Sequence, residues 1–252
     1  MKTIFLAMAA GAAVLSMSAP LMALAAPSAS VAAALADAGR PPEDVARDAA
    51  RKPAELIAFA GLKAGDRVID FIPAGGYWTK IFSGVVGPTG AVIATVPGQA
   101  EAMFAKGTAS INAFASTHPN VKVNVTKGAL TPADGPVDMF WTAQNYHDLY
   151  NSPQGAATLT AVNGAVFAAL KPGGVYLVID HASKTGAGTA DTNTLHRIEE
   201  AVVRKDLEAA GFVFEGSSDA IRNAADPRTA NVFDPAIRGK TDQFVLKFRK
   251  PK

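Results

Sequence analysis

The chain has 252 residues, with 24 lysines and arginines against 22 acids, a net charge of +2, four histidines and no cysteine. So even a charge balance argues against nucleic acid or an anionic membrane surface as the main partner. The lack of cysteine excludes any disulfide and any lipid-modified N-terminal cysteine.

The chain starts with one lysine, an apolar run from Ile4 to Leu15, and small residues leading to Ala23-Leu24-Ala25. This pattern predicts a signal peptide over residues 1–26 and a periplasmic or secreted product, with no membrane attachment after cleavage. Ser16, Ser18 and Pro20 interrupt the run and no charged stop follows, which disfavours a retained anchor. Residues 27–252 then make a single domain, roughly 225 residues being enough for one α/β core. A helical extension over about 27–62 precedes it: Pro41-Pro42-Glu43-Asp44 opens one helix, and Pro53 starts another that Gly61 stops.

From Arg67 the pattern alternates: strand 67–72, helix 77–86, strand 91–96, helix 99–117 and strand 121–125. Strand 137–142, helix 153–170 and a fully apolar strand 175–180 follow. Buried strands alternating with helices imply a parallel sheet covered on both faces. Helix 194–210 stops at Gly211, and strands 212–215 and 243–248 close the chain. The polar stretch of roughly 25 residues between those two strands holds no crossover helix, so they form an antiparallel hairpin at the sheet edge.

The stretch Val68-Ile69-Asp70-Phe71-Ile72-Pro73-Ala74-Gly75-Gly76-Tyr77 ends a strand, turns through small residues and opens a helix. Exposed main-chain N–H groups at such a turn suit a ligand. A plain tight turn is the alternative reading.

Several landmarks, in order, carry a resemblance. They are Lys63-Ala64-Gly65-Asp66-Arg67-Val68-Ile69-Asp70, Gly75-Gly76-Tyr77-Trp78-Thr79, Val86-Gly87-Pro88-Thr89-Gly90 and Asn145-Tyr146-His147-Asp148-Leu149-Tyr150. Leu170-Lys171-Pro172-Gly173-Gly174 and Arg238-Gly239-Lys240-Thr241-Asp242-Gln243-Phe244 complete the set. From about Arg51 onward the chain resembles the class I S-adenosylmethionine-dependent methyltransferases, and more narrowly a bacterial exported family of predicted methyltransferases. The resemblance implies a Rossmann-like fold with a seven-stranded, mostly parallel sheet, a C-terminal antiparallel hairpin and helices on both faces. It also implies S-adenosylmethionine as cofactor and methyl transfer to a small acceptor.

Carried over by position, the cofactor-binding residues would be Asp70, Ile72, Pro73, Ala74, Gly75, Gly76, Tyr77, Thr95, Gln144 and Asn145. Two departures stand out. The superfamily's D-x-G-x-G-x-G turn has Ile72 and Ala74 in two of its glycine positions, where a Cβ hinders close approach. Strand two ends Ala94-Thr95-Val96-Pro97, without the acid that accepts from the ribose hydroxyls; Thr95, Gln99 or Glu101 would have to substitute. These departures, with the export signal, favour an alternative: a non-catalytic protein of the same fold that binds another small ligand or a protein partner.

Tyr146, His147 and Asp148 are the catalytic candidates, placed where open α/β sheets receive ligands. His147 is the expected base, with Asp148 holding its ring. His181, beside Asp180, is a second proton-handling group, and the glycine-containing loop Lys184–Asn193 is a candidate lid. His196 and Arg197 read as part of helix 194–210, with Arg197 beside Glu199 and Glu200 on a solvated face or in an ion pair. Trp141 is expected to flank the ligand cleft and Trp78 to pack in the core. Metal-binding spacings, a G-x-S-x-G elbow and a nucleotide phosphate loop are all absent, so no metal site, hydrolase or P-loop chemistry is expected.

Overall fold

The computed structural model describes residues 28–98, 101–126, 135–152 and 155–252. The export signal read at residues 1–26 lies outside the described residues, as does Gln99. Seven strands form one sheet: β1 Arg67–Phe71, β2 Ala91–Pro97, β3 Val121–Thr126, β4 Val137–Ala143, β5 Leu170–His181, β6 Val213–Ser218 and β7 Gln243–Arg249. Their order is β3-β2-β1-β4-β5-β7-β6. β1 to β5 run parallel, and β7 is antiparallel to both β5 and β6. This is the Rossmann-like class I methyltransferase fold that the resemblance implies.

β1, β2 and β4 and the end of β5 are buried on both faces, and successive side chains feed two clusters because they point to opposite sides. Val68, Trp141, Leu177 and Val245 pack into one cluster with Leu56, Ile57 and Phe82. Ile69, Phe71, Phe140, Tyr176 and Val178 pack into the other with Val203 and Leu207. The first cluster is covered by α1 Ala29–Leu35, α4 Pro53–Ala60 and α5 Tyr77–Val86; the short helices α2 Pro42–Val45 and α3 Asp48–Arg51 lead into α4. Proline opens both α2 and α4, and Gly61, at φ +83°, ends α4. The remaining helices are α6 Glu101–Ala115, α7 Ala156–Ala169 and α8 Glu200–Ala209. No helix among the described residues is long and apolar enough to cross a membrane.

Three local expectations change. Trp141 does not flank a cleft: strand parity turns its ring onto Trp78 and Phe82, at centroid distances of 4.7 and 5.0 Å, and it is fully buried. Lys171-Pro172-Gly173-Gly174 is drawn into β5, because Gly173 N–H donates to Lys250 and Lys250 N–H donates back to Gly174. The last helix starts only at Glu200, since His196 is left-handed at φ +54° and breaks the periodic run.

Candidate functional site

The carboxyl ends of the parallel strands are where an open α/β sheet binds ligands. A cavity of about 510 Å³ lies at the opposite edge, among Gly87, Pro88, Ala91 and Asn120 at the starts of β2 and β3, away from the carboxyl ends of the strands.

At the carboxyl edge, the turn after β1 keeps an unusual backbone. Ile72, Ala74 and Gly76 have φ of +54°, +49° and +80°. All three glycine positions of the superfamily turn are therefore left-handed, though only one holds glycine. A β-branched residue there is a true outlier, costing about 1–2 kcal/mol. Asn145 stitches the turn to β4: its side-chain amide donates to the carbonyls of Ile72 at 3.2 Å and Ala143 at 2.7 Å. Helix α6 supports the inner side, where a Cβ on Gly107 would come within 2.1 Å of the Ala74 carbonyl oxygen. Ile72 and Pro73 are buried, and Ala74 and Gly75 are exposed.

Asp70 lies beneath the turn, fully buried, and accepts the Thr79 hydroxyl at 2.6 Å. Burial pushes its pKa up to about 6, against the pull of the Thr79 bonds and Arg51. Tyr77 donates its hydroxyl to Asp48 at 2.7 Å, and its ring is faced by Arg40, Arg47 and Arg51. Thr95 is buried, and its hydroxyl donates only to Ile93 in its own strand, at 3.4 Å.

The ends of β4 and β5 are denser. Asp180, at 0% exposure, accepts from the backbone N–H of His147 at 2.8 Å, from His147 Nδ1 at 2.8 Å and from the His181 N–H at 2.7 Å. His147 Nε2 then faces Asp148 Oδ1 at 3.2 Å and His196 Nδ1 at 3.3 Å. Burial pushes the His147 pKa down, but Asp180 and Asp148 outweigh it and raise it to about 10. Flanked by two carboxylates, the ring favours its charged form, which counts against His147 as the expected base. His181, 6.3 Å away ring to ring, shows the opposite: burial holds its pKa down to about 4, and its Nδ1 pairs with Thr241 at 2.8 Å.

Tyr146 does not join this group. Its ring is fully buried, and its hydroxyl is within 3.0 Å of the Asn163 amide and 3.4 Å of Asp206, beneath α7 and α8. The left-handed Gln144, at φ +64°, turns the chain so that Asn145 reaches β1 and Tyr146 points inward. Nor does Arg197 sit on a solvated face with Glu199 and Glu200. It is fully buried and pairs with Asp226 at 2.8 Å, donating also to the carbonyls of Ala182 and Ala230. The candidate lid is pinned, with Glu199 accepting the Gly186 and Gly188 N–H groups.

A cleft of about 440 Å³ opens beside this cluster, lined by Arg47, Arg51, Gln144, His181, Phe233 and Arg238 among others. Among the described residues, no carboxylate lines it. Arg51 is stacked on Tyr77 at 4.5 Å and donates to Gln144 at 3.4 Å. Burial, then the neighbouring Arg47, lowers its pKa to about 10, leaving it charged near neutrality. Sequence reasoning missed this cleft because Arg47 and Arg51 lie in the helical extension and Arg238 in the last loop.

No family model matches the chain, and no curated protein matches it. Solved structures do. One is a SAM-dependent methyltransferase from Aquifex aeolicus, 19% identical, covering 81% of this chain and 92% of that one with a TM-score of 0.56. A second is the N-methyltransferase NodS from Bradyrhizobium japonicum, 12% identical, covering 79% and 93% with a TM-score of 0.54. A third is the [4+2]-cyclase SpnF, 16% identical, covering 85% and 84% with a TM-score of 0.57. At these identities the likeness is one of fold, and the cyclase illustrates that the fold serves more than one activity.

Proposed function

We propose that this chain is an exported S-adenosylmethionine-dependent methyltransferase, of the bacterial family read from its landmarks, acting on a small anionic acceptor. One observation carries the reading. Left-handed backbone is kept at Ile72 and Ala74, where neither side chain favours it, and strain of that kind persists where a function requires the shape. The residues fit the cofactor at the turn: the exposed Ala74 and Gly75 can present main-chain N–H groups, and Asp70 beneath holds Thr79 in the first turn of α5. They fit less well at the end of β2, where no acid replaces the buried Thr95. When bound, S-adenosylmethionine supplies an electrophilic methyl group.

The chain's own residues align the acceptor and exclude water. Arg51 and Arg238 give an anionic acceptor its counter-charges, Gln144 and Gln243 its hydrogen bonds, and His181 a neutral imidazole on the same wall. The buried end of β2 favours a second reading, a binding protein of this fold without the cofactor. Calorimetric titration with S-adenosylmethionine and S-adenosylhomocysteine separates the two. Micromolar binding is expected; silence at millimolar ligand would leave only the binding protein. Fractionation of cells making the full chain, compared with a variant lacking residues 1–26, tests export.

A further inference from the structure

The sequence has no local metal-binding spacing, yet the fold brings together donors separated by nearly fifty positions. His147, Asp148 and His196 each direct one ligand atom into a common space. The separations are 3.2 Å from His147 Nε2 to Asp148 Oδ1, 3.3 Å from His147 Nε2 to His196 Nδ1, and 3.6 Å from His196 Nδ1 to Asp148 Oδ1. With metal–ligand bonds of about 2.0–2.1 Å, the edge of a coordination tetrahedron is about 3.3–3.4 Å. The three atoms therefore outline one face of such a tetrahedron. We propose that His147, Asp148 and His196 bind a single divalent transition-metal ion of the zinc class, leaving a fourth position open.

Two further features support a built centre over a chance contact. The other ring nitrogen of His147 is held by Asp180, which is fully buried; a carboxylate behind a ligating histidine fixes the ring and strengthens the donor. His196 is held in its left-handed conformation from both sides. Leu195 accepts the Val232 N–H, Ile198 N–H donates to His181, and the Arg197 side chain is locked between Asp226 and two carbonyls. These bonds hold the His196 ring against His147 at a backbone cost that a solvent-facing histidine would avoid.

Access is available, since the Asp148 side chain is 44% exposed and that of His196 28% exposed. Two imidazoles and one carboxylate are a donor set suited to zinc, with the fourth site left to water or an oxygen of a bound molecule. Phe233 packs against His196 at 4.9 Å and also lines the arginine cleft, so the centre stands at that cleft's wall. The ion could thus polarise an acceptor held there. That role rests on the transferase reading, whereas metal binding does not.

The test uses the full, tag-free chain, stripped with a chelator and titrated with Zn²⁺ alone. One equivalent with a submicromolar Kd is expected. Co²⁺ should give the intense visible bands of a four-coordinate site. His196→Ala is the fold-safe variant, its circular dichroism checked against the parent, and should weaken Zn²⁺ binding by about 100-fold or more. His118→Ala, remote from the cluster and stacked on Phe114, should leave it unchanged. No Zn²⁺ bound at millimolar concentration, or equal affinity in His196→Ala, would overturn the proposal. Either result would leave the S-adenosylmethionine titration free to succeed or fail by itself.

Discussion

The ends of β1 and β2 and the ends of β4 and β5 lie along one edge of the same sheet and are built in opposite ways. At the first, a backbone path is preserved while the side chains that usually accompany it are gone: Ile72 and Ala74 stand left-handed, and β2 closes on a buried Thr95. At the second, side chains carry the structure, with Asp180, His147, Asp148 and His196 joined through short polar contacts. Shape dominates one end and charge the other. A ligand at the first end has to be recognised largely by main-chain groups, and one at the second by side chains whose protonation matters.

The largest effect should come from cutting the charged end. Asp180→Asn keeps the volume but leaves one oxygen for three donors and removes the nearer and fully buried of the two carboxylates that flank His147. Breaking a buried pair in this way costs about 3 kcal/mol or more. Thr95→Val, the matching change at the other end, removes a hydroxyl whose one bond is 3.4 Å long. Its cost should stay below about 1 kcal/mol. Urea denaturation of the two variants measures both. Equal losses would mean that the two ends are not built differently.

The charged end also contains its own contrast. In metal-free protein, the His147 imidazolium should persist to about pH 10 and His181 should stay neutral down to about pH 4, as histidine NMR titrations would show. The His147 value lies above the ordinary 6.5, so its contribution to stability is complete below pH 6.5 and is lost as pH rises towards 10. The lowered His181 value works the other way: its contribution is present above pH 6.5 and is lost as pH falls towards 4. Asp70, raised from 3.8 to about 6, gains stability over nearly that same acid range as it is protonated, which offsets His181. The net expectation is a nearly flat profile from about pH 6.5 to 4, a loss below that as the lowered carboxyls of Asp48, Asp138, Asp148 and Asp226 are protonated, and a decline from about pH 6.5 to 10. A stability maximum at pH 9 would contradict the assignment of His147.

The alternation of strands and helices and the terminal antiparallel pair were legible in the sequence because buried strands leave apolar runs bounded by turns, while the seven-stranded fold was implied by the resemblance. Directions at the strand ends were not legible. Nothing in Gln144-Asn145-Tyr146 says that Gln144 takes a left-handed turn and sends Tyr146 into the core. Counting helical spacing through residue 194 likewise placed His196 and Arg197 on a regular helix. One left-handed residue instead delivers His196 to His147 and buries Arg197 against Asp226. Pairings across such distances in the chain leave no local spacing to read. The helical extension shows the same limit: its prolines and acids marked the helices, but not that Arg47 and Arg51 would line a cleft against β4 and β7.

The smallest effect tests the shape-dominated end most directly. Ala74 is exposed, sits at φ +49°, and has a single methyl group to lose. Glycine adopts that conformation without penalty, but it also adds freedom to the unfolded chain. The left-handed penalty of about 1–2 kcal/mol exceeds that entropy of about 0.5–1 kcal/mol, so Ala74→Gly should stabilise the protein by several tenths of a kcal/mol. In a chain this long, that raises Tm by roughly 1–3 °C. The same substitution brings the turn closer to the superfamily's pattern, so affinity for S-adenosylmethionine should be equal or higher. A lower Tm in Ala74→Gly, found by calorimetry, would show that the turn is not held against its preference. The shape would then lose its value as a mark of function.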